Sequence, residues 1–487
     1  MILMRETNKE LKDLAYQSMK DAEEIVVNDP YRMHYHLMPL VGLLNDPNGF
    51  VYFKGQYHIF YQWNPFATNH STKFWGHYIS DDLVHWKEAP IALAPDQWFD
   101  KNGCYSGSAV VKDDKLILFY TGNVKNKDGD RETYQCMAVS SDGITFEKKG
   151  PIIYLPEGYT AHFRDPKVFA RDGRWYMVLG AQTLEEKGEV VIFRSDDLEE
   201  WTFLGPLAGS NHNNLGDFGY MWECPDLFRL NDQDILIVSP QGLKPDGYLF
   251  NNIYQAGYFS GTVDYEDVAY QHGTFTELDR GFDFYAPQTT LDNKGRRLLF
   301  AWMGNAEEDV GMHPTTKFSW IHALTLPREL KWENGRLLQH PVEELKQLRG
   351  NLHDYIDVTV REQPIQLDGI NGNVFELNLT IKEWNAQAFS IQVGQDIRLM
   401  YSDDTFTLQR KSLIDSSKIE SRHCLLQDLK NIHIFKDTSS IEVFINNGEK
   451  VFTSRVYDDP SENTVTFYAD GAVLIDVQKW DLEKVSK

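Results

Sequence analysis

KGQYHIFYQW, residues Lys54–Trp63, decides the fold because its pattern occurs five times. A polar two-residue turn leads into an apolar strand. The pair returns as Asp113-Asp114 before KLILFYTG, Asp172-Gly173 before RWYMVLGA, Asn231-Asp232 before DILIVSPQ and Lys294-Gly295 before RRLLFAWM. Matching turn positions are 59, 59, 59 and 63 residues apart. A strand precedes each turn as well, so every repeat reads as strand, tight turn, strand. A second signature recurs further out, as SDDLVHW at Ser80–Trp86, SDGITF at Ser141–Phe146 and SDDLEEW at Ser195–Trp201.

Strands at a regular long period with no helices between them are the mark of a β-propeller, and five periods imply five blades. A β-sandwich with long insertions is the alternative, but sandwich strands seldom repeat at this length. The expected class is all-β, with a five-bladed propeller over residues 31–335. Beyond it the period is lost, yet strands such as VFELNLTI, AFSIQVG and AVLIDVQKW continue, joined by Asn-Gly and Asp-Gly turns. These predict a β-sandwich over residues 350–487. LKWENGRLLQHPVEELKQLRG, between the two, reads as a hairpin and short helix that join them. Residues 1–30 form an N-terminal helical segment, with Leu11, Leu14, Ala15 and Ala22 on one face and Ser18 interrupting it.

The bulk numbers narrow the function. The 487 residues exceed one ordinary core. With 48 Lys and Arg against 72 Asp and Glu, the net charge of −24 repels nucleic acid and anionic membranes over the general surface. An anionic ligand would need a local basic pocket. Cys104, Cys136, Cys224 and Cys424 form no CxxC pair. The apolar start is too short for a signal-peptide core, and no apolar run is long enough to span a membrane. The expectation is a cytoplasmic protein with no cofactor and no metal.

The first strand of each blade lines the central channel. Pro47, Pro166, Pro225 and Pro287 stand in four of these strands, expected where the strand begins and no N–H is needed. Asp46, Asp165 and Glu223 lie beside the first three, on three blades, and so converge at one mouth. Three buried carboxylates serve either a hard cation or glycosidic cleavage, which needs one carboxylate and one carboxylic acid. Trp63, Trp75, Trp222 and Trp302 fall near the same rim, and aromatic faces suit sugar rings, which favours glycoside chemistry. Repulsion from Asp46 and Asp165, together with a Trp-lined pocket, is expected to raise the pKa of Glu223. Arg164 suits a clamp on sugar hydroxyls or a partner for Asp165. His34, His36, His70 and His77 lack metal-ligand spacing and read as structural, Cys224 as a small buried residue, and Lys125, Lys127 and Arg131 as a solvated loop.

HLMPLVGLLNDPNG (His36–Gly49), FRDP (Phe163–Pro166) and MWECPDLF (Met221–Phe228), with YQWNP, FWGH, YSGSA and FYAPQ, resemble the motifs of glycoside hydrolase family 32, the invertases and their relatives. The resemblance covers nearly the whole chain and implies a five-bladed propeller followed by a sandwich. It implies a retaining β-fructofuranosidase with Asp46 as nucleophile, Glu223 as acid/base and Asp165 as transition-state stabiliser. The substrate-binding residues it implies are Leu44, Asn45, Gln62, Trp75, Tyr105, Ser106, Arg164, Tyr285 and Trp302. Within the family the chain looks most like the bacterial enzymes that cleave sucrose 6-phosphate, with Lys73, Lys125, His313 and Lys317 as candidate phosphate donors. Plain invertase, fructan hydrolase and fructosyltransferase activities stay open, and a non-catalytic sugar-binding propeller is the remote reading. The partner expected is a small sugar. The sandwich can brace the propeller, mediate a homodimer or bind carbohydrate, and bracing is preferred.

Overall fold

In the computed structural model, which describes residues 7–213, 215–459, 461 and 463–485, Lys54 and Gly55 both take positive φ, 48° and 88°. Two such residues make the turn whose twist suits a hairpin, and Asp113-Asp114 and Asp172-Gly173 repeat it. Leu230 faces Gln233 across a turn of the same length, whereas Leu291 faces Arg297 across a longer loop.

Each repeat becomes an antiparallel blade. The inner strands are Gly42–Phe53, Cys104–Lys112, Tyr159–Arg171, Met221–Leu230 and Tyr285–Leu291, and successive strands step outward to Trp86–Glu88, Glu147–Tyr154, Thr202–Gly209, Ala269–His272 and Arg336–Pro341. Inner strands of neighbouring blades pack side by side, and the fifth packs on the first, so the ring closes. Apolar side chains fill the layers between blades. The hairpin Arg328–Glu333/Arg336–Pro341, expected to join the two domains, is instead the outer half of blade five; only the 3-10 turn Glu343–Leu348 lies between blade and sandwich.

The second repeated signature is a loop device. Ser80 Oγ accepts from Leu83 N, and Asp82 Oδ1 accepts from Val84 N and His85 N. Ser195 and Asp197 do the same for Leu198, Glu199 and Glu200. In blade two the matching serine is Ser140, one residue before the one the sequence alignment suggests. The third loop position has positive φ in Leu83, Gly143 and Leu198 (69°, 78° and 77°), which is why glycine stands at one of them.

Helix α1 spans Asn8–Val27 behind a Thr7–Glu10 capping box. Its packed face is Leu11, Ala15, Met19, Ala22 and Val26. Leu14, expected on that face, points to solvent, while Ser18 lies on it and donates to the Pro65 carbonyl. The apolar start, residues 1–6, lies outside the described residues. No described helix is long and apolar enough to cross a membrane.

Beyond Leu348 a sandwich of antiparallel strands forms around its own core. VFELNLTI and AFSIQVG, read as separate strands, belong to one strand, Phe375–Val393, bent by bulges after Ile381 and Ala386. The sandwich meets the propeller through buried charge. Arg328 of blade five donates to Asp279 Oδ2 and Gln339 Oε1 at 3.2 and 2.8 Å, and to Glu442 Oε2 and Thr453 Oγ1 at 2.6 Å each. Arg410 reaches Asp283 at 2.6 Å, and His36 bridges Asp437 and Glu442. This interface favours bracing. Arg328→Met strands two buried carboxylates and should destabilise the protein by about 3–5 kcal/mol, seen as a large fall in Tm; a shift of a degree or less would show the interface is not holding the domains.

Candidate active site

Every inner strand of the propeller carries a β-bulge at the same stage of its course. The inner strand carries one residue more than its partner between Leu44 and Pro47, Tyr105 and Gly107, Arg164 and Lys167, Glu223 and Asp226, and Tyr285 and Gln288. The bulged residues include Asp46, Ser106, Asp165, Cys224 and Ala286 in turn, and a bulge bends its strand and re-aims a side chain. The prolines therefore sit within the inner strands at these bulges, not at strand starts, because a bulged position needs no ladder N–H. Blade two has Gly107 in the proline slot, where a Cβ would fall 1.9 Å from the Phe119 carbonyl oxygen.

This register corrects the expected equivalence of the three acids. Asp46 and Asp165 occupy matching slots. Glu223 stands one residue earlier, level with Arg164 and Tyr285, and Cys224 fills the slot that Asp46 and Asp165 fill in their blades. Asp165, Cys224 and Ala286 take positive φ there, 67°, 49° and 47°.

The acids lie in two hydrogen-bonded layers. Asp46 Oδ2 accepts from Ser106 Oγ at 2.5 Å and Gln62 Nε2 at 3.4 Å, and Oδ1 accepts from Asn45 at 3.1 Å. Asp165 Oδ2 accepts from Cys224 N at 3.0 Å, and Asp165 N donates to Thr121 Oγ1. Cys224 Sγ lies 3.8 Å from Asp46 Oδ2 and 3.6 Å from Asp165 Oδ2, so both acids meet on one sulfur. In the neighbouring layer Glu223 accepts four bonds: Oε1 from Arg164 Nε and Nη2 at 3.0 and 2.6 Å, and Oε2 from Gln241 Nε2 and Tyr285 OH at 2.8 and 2.6 Å.

That environment reverses the expected electrostatics. Burial pushes Glu223 up, but the Arg164 charge and the Tyr285 hydroxyl outweigh it and hold the carboxyl below its ordinary range. Burial instead raises Asp165 to about 7 against the pull of Arg164, and Asp46 also lies above its usual value, chiefly by burial. In the free site a proton is therefore favoured on Asp165 over Glu223. Burial lifts the Cys224 thiol far up, so it is a neutral neighbour and no nucleophile.

Of the expected sugar contacts, Asn45, Gln62, Ser106, Arg164 and Tyr285 join this network. Tyr105 is half-buried beside it, with the Arg131 guanidinium 5.8 Å from its ring centre. Leu44 does not join: it alternates away from Asn45 into the blade core. The four tryptophans are interior rather than rim residues. Trp63 donates to Val41 O, Trp75 to Tyr105 O and Trp222 to Phe218 O, and Trp302 packs edge-on against Tyr285. All four are at most 1 % exposed, so none offers a face to a ligand. Composition could not separate core tryptophan from rim tryptophan.

Gln241 escaped the sequence reading, and other neighbours were read in other roles. Gln241 lies on the second strand of blade four, where no acidic motif marks it. Lys73 is buried; it donates to Asn45 Oδ1 at 2.5 Å and stands 3.0 Å from His70 Nδ1, and burial draws its pKa down to about 7. It holds Asn45 by this bond and is no surface phosphate donor. His313 is fully buried as well. Arg131, read as a loop residue, is half-buried at the pocket, 3.4 Å from His162 Nδ1, which is itself 3.0 Å from Arg164.

Comparison with known proteins agrees with this architecture. The model for the glycosyl hydrolases family 32 N-terminal domain matches residues 36–341, and that for the family 32 C-terminal domain matches residues 344–481. A Bacillus subtilis protein named sucrose-6-phosphate hydrolase is 52% identical over 98% of this chain and 99% of its own. A Klebsiella pneumoniae protein of that name is 44% identical over 91% and 92%. The solved sucrose-6-phosphate hydrolase from Lactobacillus gasseri superposes with a TM-score of 0.88 at 32% identity, covering 97% of each chain. A mutant Bombyx mori β-fructofuranosidase in complex with sucrose gives 0.83 at 33% identity, covering 97% and 98%. With both of its domains matched end to end, the chain belongs to glycosyl hydrolase family 32.

Proposed function

We propose that this protein is a retaining β-fructofuranosidase that releases fructose from sucrose 6-phosphate in preference to sucrose, and that it works in the cytoplasm. The observation that carries the chemistry is the pair of differently held carboxylates. Asp46 is gripped by neutral donors, while Glu223 is joined to a guanidinium, a phenol and an amide. Asp46 attacks the anomeric carbon of the fructosyl unit and Glu223 protonates the departing glucose oxygen. Glu223 then takes a proton from the water that cleaves the fructosyl ester. Asp165 accepts bonds from fructose hydroxyls and stabilises the cationic transition state.

The proton has to be on Glu223 when the bond breaks. Hydroxyls that donate to Asp165 favour its ionised form. The new charge beside Glu223 then raises that carboxyl, and the proton moves across without any change in net charge. Arg164 thus keeps the acid ionised until a sugar arrives. Because one proton must stay in the cluster, kcat/KM should fall above pH about 7, where the free site loses it. A profile still flat at pH 9 would contradict this.

Phosphate preference is supported by the relatives' names and by the hairpin between the second and third strands of blade two. Arg131 lies on that hairpin next to His162, and Lys125 and Lys127 lie nearby on it. Arg131 offers the forked donor that a phosphate accepts. Measuring kcat/KM for sucrose and sucrose 6-phosphate side by side tests the reading. The phosphate ester should win by at least tenfold, and Arg131→Ala should remove most of that advantage while sparing sucrose. Equal rates in the unaltered protein would make it an intracellular invertase.

A further inference from the structure

Between Met303 and Arg328, the segment joining two strands of blade five brings together Glu308, His313 and His322. Glu308 Oε1 stands 3.3 Å from His313 Nε2 and 3.4 Å from His322 Nε2. The Glu308 side chain is 5 % exposed and both imidazoles are fully buried. None of the three facing atoms has a hydrogen-bond partner, and neither does His322 Nδ1. Three donor atoms thus face one another in the interior with no proton geometry to explain them.

The geometry points to a buried divalent transition-metal site, taking zinc, with Glu308, His313 and His322 as ligands. Ligand atoms at about 2.0–2.1 Å from a tetrahedral ion stand about 3.3–3.4 Å from one another, the spacing both histidines keep to Glu308. Two imidazoles and one carboxylate suit zinc, cobalt or ferrous iron and disfavour the hard cations. The outer contact of His313 fits a ligating tautomer. His313 Nδ1 lies 2.9 Å from the Tyr457 hydroxyl; with its proton there, Nε2 presents a lone pair to the cluster. Gly304 keeps the space behind His322 clear, since a Cβ there would lie 2.7 Å from Nδ1.

The role is structural. His313 lies between the 3-10 turns Val310–Met312 and Pro314–Phe318, and His322 follows the two-residue strand Trp320–Ile321 that pairs with the inner strand of blade one. An ion would pin this long connection to the ring closure of the propeller, and through Tyr457 to the sandwich. Since the ligands are 308, 313 and 322, no short motif announces them.

The test uses the full-length protein. Purified without chelator, loaded with zinc and desalted, it should retain about one equivalent by elemental analysis, with Tm raised by at least a few degrees over the chelator-treated form. Cobalt added to the chelator-treated protein should give the visible bands of a tetrahedral ion. Both signals should disappear in His322→Gln and in Glu308→Gln. If one variant does not fold, the other and the cobalt spectrum of the unaltered protein carry the test. Failure of the unaltered protein to retain zinc or develop cobalt bands would overturn the site, as would zinc retained in both variants.

Discussion

Glu223→Gln should lower kcat for sucrose and its phosphate by on the order of 10³–10⁴ while leaving the fold intact. The amide fills the same volume among Arg164, Gln241 and Tyr285 but cannot release a proton. The informative control is the leaving group. An aryl fructoside with an acidic phenol needs little protonation, so its first step should be nearly unimpaired, and the defect should move to hydrolysis of the fructosyl ester. A first step crippled equally on both substrates would mean that Glu223 positions the sugar and the acid lies elsewhere. One with wild-type turnover would remove Glu223 from the mechanism altogether. Melting temperature separates these outcomes from unfolding.

Asp46→Ala should cost more, on the order of 10⁴–10⁶ in kcat, since no covalent intermediate can form. Ser106, Asn45 and Gln62 would be left around a small cavity. Azide can enter such a space and attack from the face Asp46 occupied, so it should restore partial turnover and give a fructosyl azide of inverted configuration. The unaltered enzyme should give retained products under the same conditions. Removing the Asp46 charge also lowers the pKa values of its neighbours, so any residual activity should lose its basic limb at lower pH. Rescue with retained configuration would show that another group is the nucleophile.

The blade count was readable in the chain because a two-residue turn demands particular backbone angles and so leaves a mark in four of the five repeats, with a longer loop keeping the place in the fifth. The same period put Asp46, Asp165 and Glu223 at one mouth. It could not show that Glu223 stands one residue out of step, since a bulge is an event of pairing and not of composition. Nor could it show the state of Glu223. The four donors on that carboxylate come from Arg164, Gln241 and Tyr285, which are far apart in sequence and meet only when blades three, four and five close. Leu14 left its expected face for a similar reason, while Ser18 stayed on that face. The face of α1 is set by what it lies against, and Pro65 offers it a carbonyl.

The bulge that recurs in all five inner strands has a consequence for how such a pocket can change. Evolution or a designer inherits five equivalent seats around one axis, and three of them, at Ser106, Cys224 and Ala286, hold small uncharged side chains, of which Ser106 and Ala286 lie on the blades that carry no acid. A new polar group at either would arrive already aimed at the substrate without rebuilding a loop. At Ala286 the backbone is already in the left-handed region, where asparagine and aspartate are more at ease than alanine. The reaction is thus written on interchangeable places of a ring, and its chemistry can be re-dealt among blades while the ring of sheets stays as it is.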